Sequence, residues 1–168
     1  MKSRRLAPFA VIAAVLIGTT GCNLTAPQAT TIQYAPAEGV NAASGDVLVR
    51  NAVIVSDDGV DGNFLAAFVN EGSEPQVVTI EYGEGAAKTT ETFRIAARSA
   101  VSLGADVPAS ATDGESVLAD AEPILFTDID TLPGATMPVY FQAGDAEGNL
   151  VQVPVLSSEL EYLAPFAP

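Results

Sequence analysis

The residues with the clearest chemical potential form an acidic loop at positions 57–63. The loop reads Asp-Asp-Gly-Val-Asp-Gly-Asn, so Asp57, Asp58 and Asp61 offer several carboxylate oxygens within five positions. Hard cations such as Ca²⁺ bind six to eight such oxygens, but an EF-hand needs a ligand at the third position, where this loop has glycine. Asp, Asn and Gly also favour tight turns. The sequence leaves two interpretations open: a metal site at Asp57, Asp58 and Asp61, or a simple turn.

A second pair of carboxylates, Asp128 and Asp130, is predicted on one face of an extended segment. Paired carboxylates can perform acid–base chemistry, but no nucleophile motif and no phosphate-binding loop accompanies them. The chain contains no histidine, which excludes a Ser-His-Asp triad and an imidazole metal ligand. We therefore expect no catalytic residues and no bound cofactor, and we predict that the protein is not an enzyme.

The only cysteine, Cys22, follows a segment with the layout of an export signal. Residues 1–5 include three basic side chains, residues 6–17 are uncharged and mostly apolar, and residues 18–21 are Gly-Thr-Thr-Gly. This order is typical of a secretory signal, and the apolar stretch is shorter than the roughly 20 residues of a membrane-spanning helix. Small residues before a lone cysteine resemble the lipobox of bacterial lipoproteins, with Thr19 where that family usually has leucine.

The lipobox resemblance implies that residues 1–21 are a lipoprotein signal peptide and that Cys22 becomes a diacylated N-terminus. It places the protein on the extracytoplasmic face of the cell membrane, which would be a partner through the lipid anchor. The alternatives are an ordinary secretory signal followed by an unmodified thiol, or a helix that is retained in the mature protein. In every case a single cysteine forms no intramolecular disulfide.

The charge of the chain is strongly one-sided. All 21 acidic residues follow Cys22 but only four of the seven basic residues do, which gives the mature chain a net charge of −17. Such a surface repels phosphate backbones, so we predict that nucleic acid is not a partner. It is compatible with a cationic partner or a divalent cation.

Composition divides the remaining chain into three parts. Residues 22–44 are small, Thr-rich and interrupted by proline, as in a flexible tether, although residues 30–34 favour an edge strand. Residues 45–156 contain seven to nine short β-rich segments separated by turn residues, which predicts an all-β fold, an antiparallel β-sandwich. Residues 104–122 are predicted to be a long loop. Residues 157–168 form a C-terminal tail that either packs on the sandwich or docks a partner.

From Val47 onward the layout resembles the periplasmic copper-chaperone family and its actinobacterial lipoprotein relatives. The shared features are the strand at 47–55, the acidic loop, an apolar strand that ends in Asn70, and a closing hairpin of Met-Pro-Val-Tyr-Phe and Val-Gln-Val-Pro-Val. The resemblance implies an immunoglobulin-like or cupredoxin-like sandwich. That family binds Cu(I) through His and Met, whereas Met137 is the only methionine after Cys22, so the copper site is not implied here.

These features lead to two hypotheses of different classes. The first is a membrane-anchored, non-enzymatic binding or assembly module that acts on an unknown protein of the cell envelope. The second is a metal-handling envelope protein, which binds Ca²⁺ through acidic loops or derives from the copper-chaperone fold. A small-ligand carrier that uses the interior of the sandwich is a third alternative.

Overall fold

The computed structural model describes residues 37–83, 88–104 and 118–168. One 3₁₀ helix, Ala164–Phe166, lies in these ranges, and no helix there is long and apolar enough to cross a membrane. The described strands, numbered in chain order, are β1 (Val40–Ser44), β2 (Val47–Val55), β3 (Gly62–Asn70), β4 (Gln76–Tyr82), β5 (Thr89–Ile95), β6 (Ser99–Leu103), β7 (Leu118–Ala121), β8 (Ile124–Phe126), β9 (Thr136–Ala143) and β10 (Asn149–Leu156).

The strands form one continuous, strongly curved sheet. Its order is β5-β4-β9-β10-β2-β3-β6-β7, with β1 added to β2 and β8 added to β3. The pairs β10–β2 and β6–β7 are parallel and the others are antiparallel. The half that contains β4, β9 and β10 packs across a shared core on the half that contains β2 and β3. The predicted all-β, mainly antiparallel fold is confirmed, and the β10–β2 pair joins the two layers into a near-barrel.

A bulge in β2 reverses the side chains that face this core. Asn51 has a φ of 51°, and the pairing of β2 with β3 shifts by one residue around it. An extra residue in one strand moves every later side chain to the opposite face. The inward residues are therefore odd-numbered before the bulge and even-numbered after it: Val47, Val49, Ala52 and Ile54. Val53 and Val55 consequently point to the outer face of the sheet.

The C-terminal tail covers the outer face that the bulge makes apolar. Leu163, only 5% exposed, forms a second hydrophobic cluster with Val53, Val55 and Leu65, and Phe166 packs against its edge. The tail therefore packs on the sheet, one of the two outcomes expected from the sequence.

Two predicted boundaries need correction. β1 lies inside the segment predicted to be a tether, because its backbone pairs with β2 despite a weakly β-forming Val-Asn-Ala-Ala-Ser sequence. β7 lies inside the predicted loop 104–122, where pairing with β6 makes an extended strand of a segment without clear periodicity. The edge strand predicted at 30–34 lies outside the described residues.

Candidate binding groove at the open seam

The two halves of the curved sheet meet along two seams of different construction. At the first, β10 pairs with β2 through Val155 opposite Ile54 and Leu156 opposite Val55; we call it the closed seam. At the second, β5 stands opposite β6, β7 and β8, and within the described part of the chain β5 pairs only with β4. We call this second junction the open seam.

A groove of about 400 Å³ follows the open seam. It is lined on one side by β5 and on the other by β6, the end of β7 and the start of β8. The lining residues are Glu91, Thr92, Phe93, Arg94, Val101, Leu103, Ala121, Glu122 and Ile124.

The alternation of β5 decides which of its side chains enter the groove. Glu91 and Phe93 are half-buried, whereas Thr92 and Arg94 between and beyond them are exposed. The ring of Phe93 meets that of Phe68 in the core edge to face, at a centroid distance of 4.9 Å. The inner face of β5 therefore supplies an apolar anchor and one carboxylate to the groove.

The floor of the groove is apolar and its rim is charged. Phe93, Val101 and Ile124 pack against the main core from its edge, and Leu103 belongs to the core itself. Glu122 is exposed at the rim. The only ion pair in residues 37–83, 88–104 and 118–168 joins Lys88 to Glu81. The three charged groups of the groove are thus free of ion pairs within that part of the chain.

An aromatic stack holds the halves together beside the groove. The ring of Phe126 on β8 lies between two others, with centroid distances of 5.0 Å to Phe64 on β3 and 3.8 Å to Tyr82 on β4. Both pairs are close to parallel, at 2° and 13°. The hydroxyl of Tyr82 also accepts a hydrogen bond from the backbone N–H of Thr127 at 3.4 Å. Side-chain packing therefore replaces strand pairing at this seam.

The acidic loop between β2 and β3 is shaped by its own hydrogen bonds. The hydroxyl of buried Ser56 donates to the carbonyl of Asp61 at 2.5 Å and accepts from the N–H of Gly59 at 3.0 Å. One carboxylate oxygen of Asp58 accepts from the N–H of Val60 at 2.9 Å. These contacts are those of a tight turn stabilised by side chains.

Asp57 bonds to the C-terminal tail. Its carboxylate accepts hydrogen bonds from the hydroxyl of Ser158 at 2.7 Å, the N–H of Ser158 at 2.8 Å and the hydroxyl of Ser157 at 3.3 Å. The hydrogen bonds from the side chain and then the backbone of Ser158 hold the pKa of the Asp57 carboxyl below its ordinary value, because they favour the charged form. Asp57 thus fastens the start of the tail to the end of β2.

The predicted metal ligands are not assembled into a site. Asp57 faces the tail, Asp58 closes its own turn and Asp61 contributes a backbone carbonyl. Across the described ranges, no three Cys, Asp or Glu side chains are grouped so that they could hold a metal ion. The turn interpretation therefore describes this loop as it is observed.

Asp128 and Asp130 differ from the extended pair that the sequence predicts. Their φ angles are 53° and 44°, in the left-handed region. Between them, the N–H of Ile129 donates to the carbonyl of Val60 at 2.9 Å, which ties this loop to the acidic loop. The buried Ile129 side chain and this hydrogen bond account for the local conformation.

Cys22, the signal segment and the tether up to residue 36 lie outside the described residues, so the lipid anchor stays a prediction. The residues that line the groove were not predicted as a site. The alternation of β5 identifies its inward side chains, but the sequence does not show that they stand opposite β6 and β8.

The chain matches no family model and no curated protein. It has a distant structural resemblance to solved PCuAC copper-chaperone domains. The copper-bound PCuAC domain from PmoF2 is 11% identical, with a TM-score of 0.47 over 70% of this chain and 98% of that one. The apo form of that domain is 10% identical, with a TM-score of 0.46 over 70% and 95%. The apo PCuAC domain from PmoF1 is 10% identical, with a TM-score of 0.47 over 70% and 99%.

Proposed function

We propose that the protein is a non-enzymatic binding module of the cell envelope. A lipid on Cys22 holds it at the extracytoplasmic face of the membrane, and the β-domain captures a protein partner in the groove of the open seam. The groove is the observation that carries the proposal, because it combines an apolar floor with charged rim groups that form no ion pair with any other described residue.

The composition of the groove is that of a recognition site. Binding sites are concave, mostly apolar, and contain a few polar groups that fix orientation. Here Phe93, Val101 and Ile124 supply the apolar surface, and Glu91 and Arg94 supply opposite charges on one strand. Phe93 in the floor also packs edge to face on Phe68 of the core, which supports a defined position for this apolar anchor.

Capture of a partner is tested by filling the groove. Ala121 is an exposed lining residue, so Ala121→Trp narrows the groove without entering the core. Leu150→Trp is the matched control, since Leu150 is 66% exposed on β10. The tagged full chain would be cross-linked in bacterial cells that make it, and captured proteins identified by mass spectrometry. We expect Ala121→Trp to lose a partner that Leu150→Trp keeps. An identical set of captured proteins in both variants would contradict the proposal.

The anchor is tested separately. Mass spectrometry of the protein from the membrane fraction should find an acylated Cys22 at the N-terminus. Cys22→Ser should move the protein out of that fraction, because one or two acyl chains supply the membrane affinity. A mature N-terminus at any other residue would remove the anchor from the proposal and leave the groove unaffected.

A further inference from the structure

We propose that the ligand of the groove is an extended, basic peptide segment that pairs with the edge of β5 opposite β4, which has no strand partner within residues 37–83, 88–104 and 118–168. This inference rests on the proposed function and names the chemistry of its partner.

The backbone of β5 is suited to accept another strand. All seven of its residues pair with β4 in one unbroken register, from Thr89 opposite Tyr82 to Ile95 opposite Gln76. In a regular antiparallel pair, alternate residues direct their N–H and C=O groups away from the partner. The strand contains no proline and no bulge, two devices that protect edges. A strand of this length is about 23 Å long, enough for a segment of about seven residues.

The groove gives an added strand a place for its side chains. Successive side chains of a strand point to opposite faces, so every second one would face the floor formed by Phe93, Val101 and Ile124. Backbone pairing supplies affinity in this mode of recognition, and pockets for alternate side chains supply specificity. The floor accepts apolar side chains at these positions.

Charge selects a basic segment over an acidic one. The rim has two carboxylates, Glu91 and Glu122, and one guanidinium, Arg94. The other cation near β5, Lys88, is engaged by Glu81. The chain after Cys22 has a net charge of −17, so a cationic peptide is attracted and an anionic one is repelled before contact. Anionic lipid headgroups are disfavoured for the same reason.

The test uses the purified full chain in a non-ionic detergent and synthetic nine-residue peptides that carry a fluorophore. The main probe alternates Lys and Val, with both ends blocked. Its controls are a peptide with Glu in place of Lys, and two Lys-Val peptides with N-methyl groups on alternate backbone nitrogens, one in each frame. Fluorescence anisotropy at low and high salt gives the affinities. We expect the Lys-Val peptide to bind, the Glu-Val peptide to bind at least about 10-fold more weakly, and one methylated frame to lose binding.

Protein variants locate the binding to the groove. The double substitution Glu91→Gln and Glu122→Gln should weaken binding of the Lys-Val peptide about 5-fold. This is the effect expected from losing two partly exposed charge pairs between the peptide and the protein. Glu71→Gln with Glu159→Gln removes the same charge from exposed sites elsewhere and should leave the affinity unchanged. Equal losses in both variants, or full binding of both methylated peptides, would overturn the inference, since they indicate attraction by net charge alone. Capture of a partner that Ala121→Trp abolishes, without binding of any peptide, would also overturn it while the proposed function stands.

Discussion

The closed and open seams join the same two halves of the sheet by different means. At the closed seam, backbone pairing of β10 with β2 joins the halves directly, and Val155 is fully buried. At the open seam, the ring of Phe126 between Phe64 and Tyr82 keeps the halves together while β5 and β6 remain apart. Strand pairing occupies the backbone N–H and C=O groups along the facing edges of β10 and β2. Side-chain stacking does not occupy them, so the edge of β5 opposite β4 has no strand partner among the described residues. The groove that we propose as a binding site is consequently at the seam that side chains hold together.

The largest loss of stability should come from removing the central ring of the aromatic stack at the open seam. Phe126 is 0% exposed, so Phe126→Ala should lower the free energy of unfolding by about 3–5 kcal/mol. Urea unfolding followed by far-UV circular dichroism measures this change. Phe126→Leu, which keeps most of the apolar volume, should lose clearly less. Similar stability of Phe126→Ala and the wild type would show that the stack does not hold the open seam.

Truncation at the closed seam should have the next largest effect. The side chain of Val155 is completely buried, and its N–H donates to the carbonyl of Ala135 at 2.9 Å. Val155→Ala keeps that hydrogen bond but removes two buried methyl groups, so it should lower the free energy of unfolding by about 2 kcal/mol. The same urea experiment measures the loss. We expect the affinity of the groove for the Lys-Val peptide to stay unchanged, and a parallel loss of binding would indicate that the seams are not independent.

The corresponding truncation at the open seam, Val101→Ala, should lower stability less than Val155→Ala and should weaken peptide binding more. Val101 is half-buried in the floor of the groove, so Val101→Ala should cost about 1 kcal/mol of unfolding free energy. It should also weaken binding of the Lys-Val peptide, because the apolar floor becomes shallower. Comparison with Val155→Ala separates the two effects. A stability loss equal to that of Val155→Ala would mean that the open seam is packed as tightly as the closed one.

The smallest change in stability should come from replacing Asp57, which bonds to the C-terminal tail beside the closed seam. The pKa of Asp57 is lowered from its ordinary value of 3.8, so its charged form stabilises the fold fully above about pH 4, and this contribution disappears as the pH falls through the lower folded-state pKa. The stability difference between the wild type and Asp57→Asn should therefore be constant at neutral pH and shrink in acid. Urea midpoints measured from neutral to strongly acidic pH check this direction.

Proteolysis provides a second readout of the same contact. Tyr162 is 55% exposed in the tail, so chymotrypsin should cleave there faster in Asp57→Asn, in which the tail is less firmly attached. Asp145→Asn removes an equal charge from an exposed turn and should be cleaved at the wild-type rate. Equal acceleration in both variants would assign the effect to net charge instead of the contact between Asp57 and Ser158.

Much of the strand content could be predicted because local alternation reports one-sided burial. Val78, Ile80 and Tyr82 alternate with polar residues and form β4 with that face in the core. The sequence of β2 also favours a strand, but the apolar run Ala-Val-Ile-Val after Asn51 does not reveal the bulge, because both faces of this second half are buried. The inner face is covered by the opposite half of the sheet and the outer face by the tail.

The candidate site could be predicted less well, because its parts are distant along the chain. The acidic loop suggested a ligand set, but Asp57 instead accepts hydrogen bonds from Ser158, 101 residues away. The groove joins β5 to residues beyond position 100, and its two walls belong to strands at separate places in the sheet order. Neither relation has a local signal in the sequence.

The sequence by itself determined the charge, the lack of histidine, the all-β character and the layout that predicts an anchor at Cys22. These properties follow from composition and from short-range patterns, which need no knowledge of the neighbours in space. Only the tertiary structure decided which edges are paired, which are left open, and which carboxylates fasten turns. Strand order brings together residues such as Glu91 and Glu122, and strand order depends on the packing of the whole core.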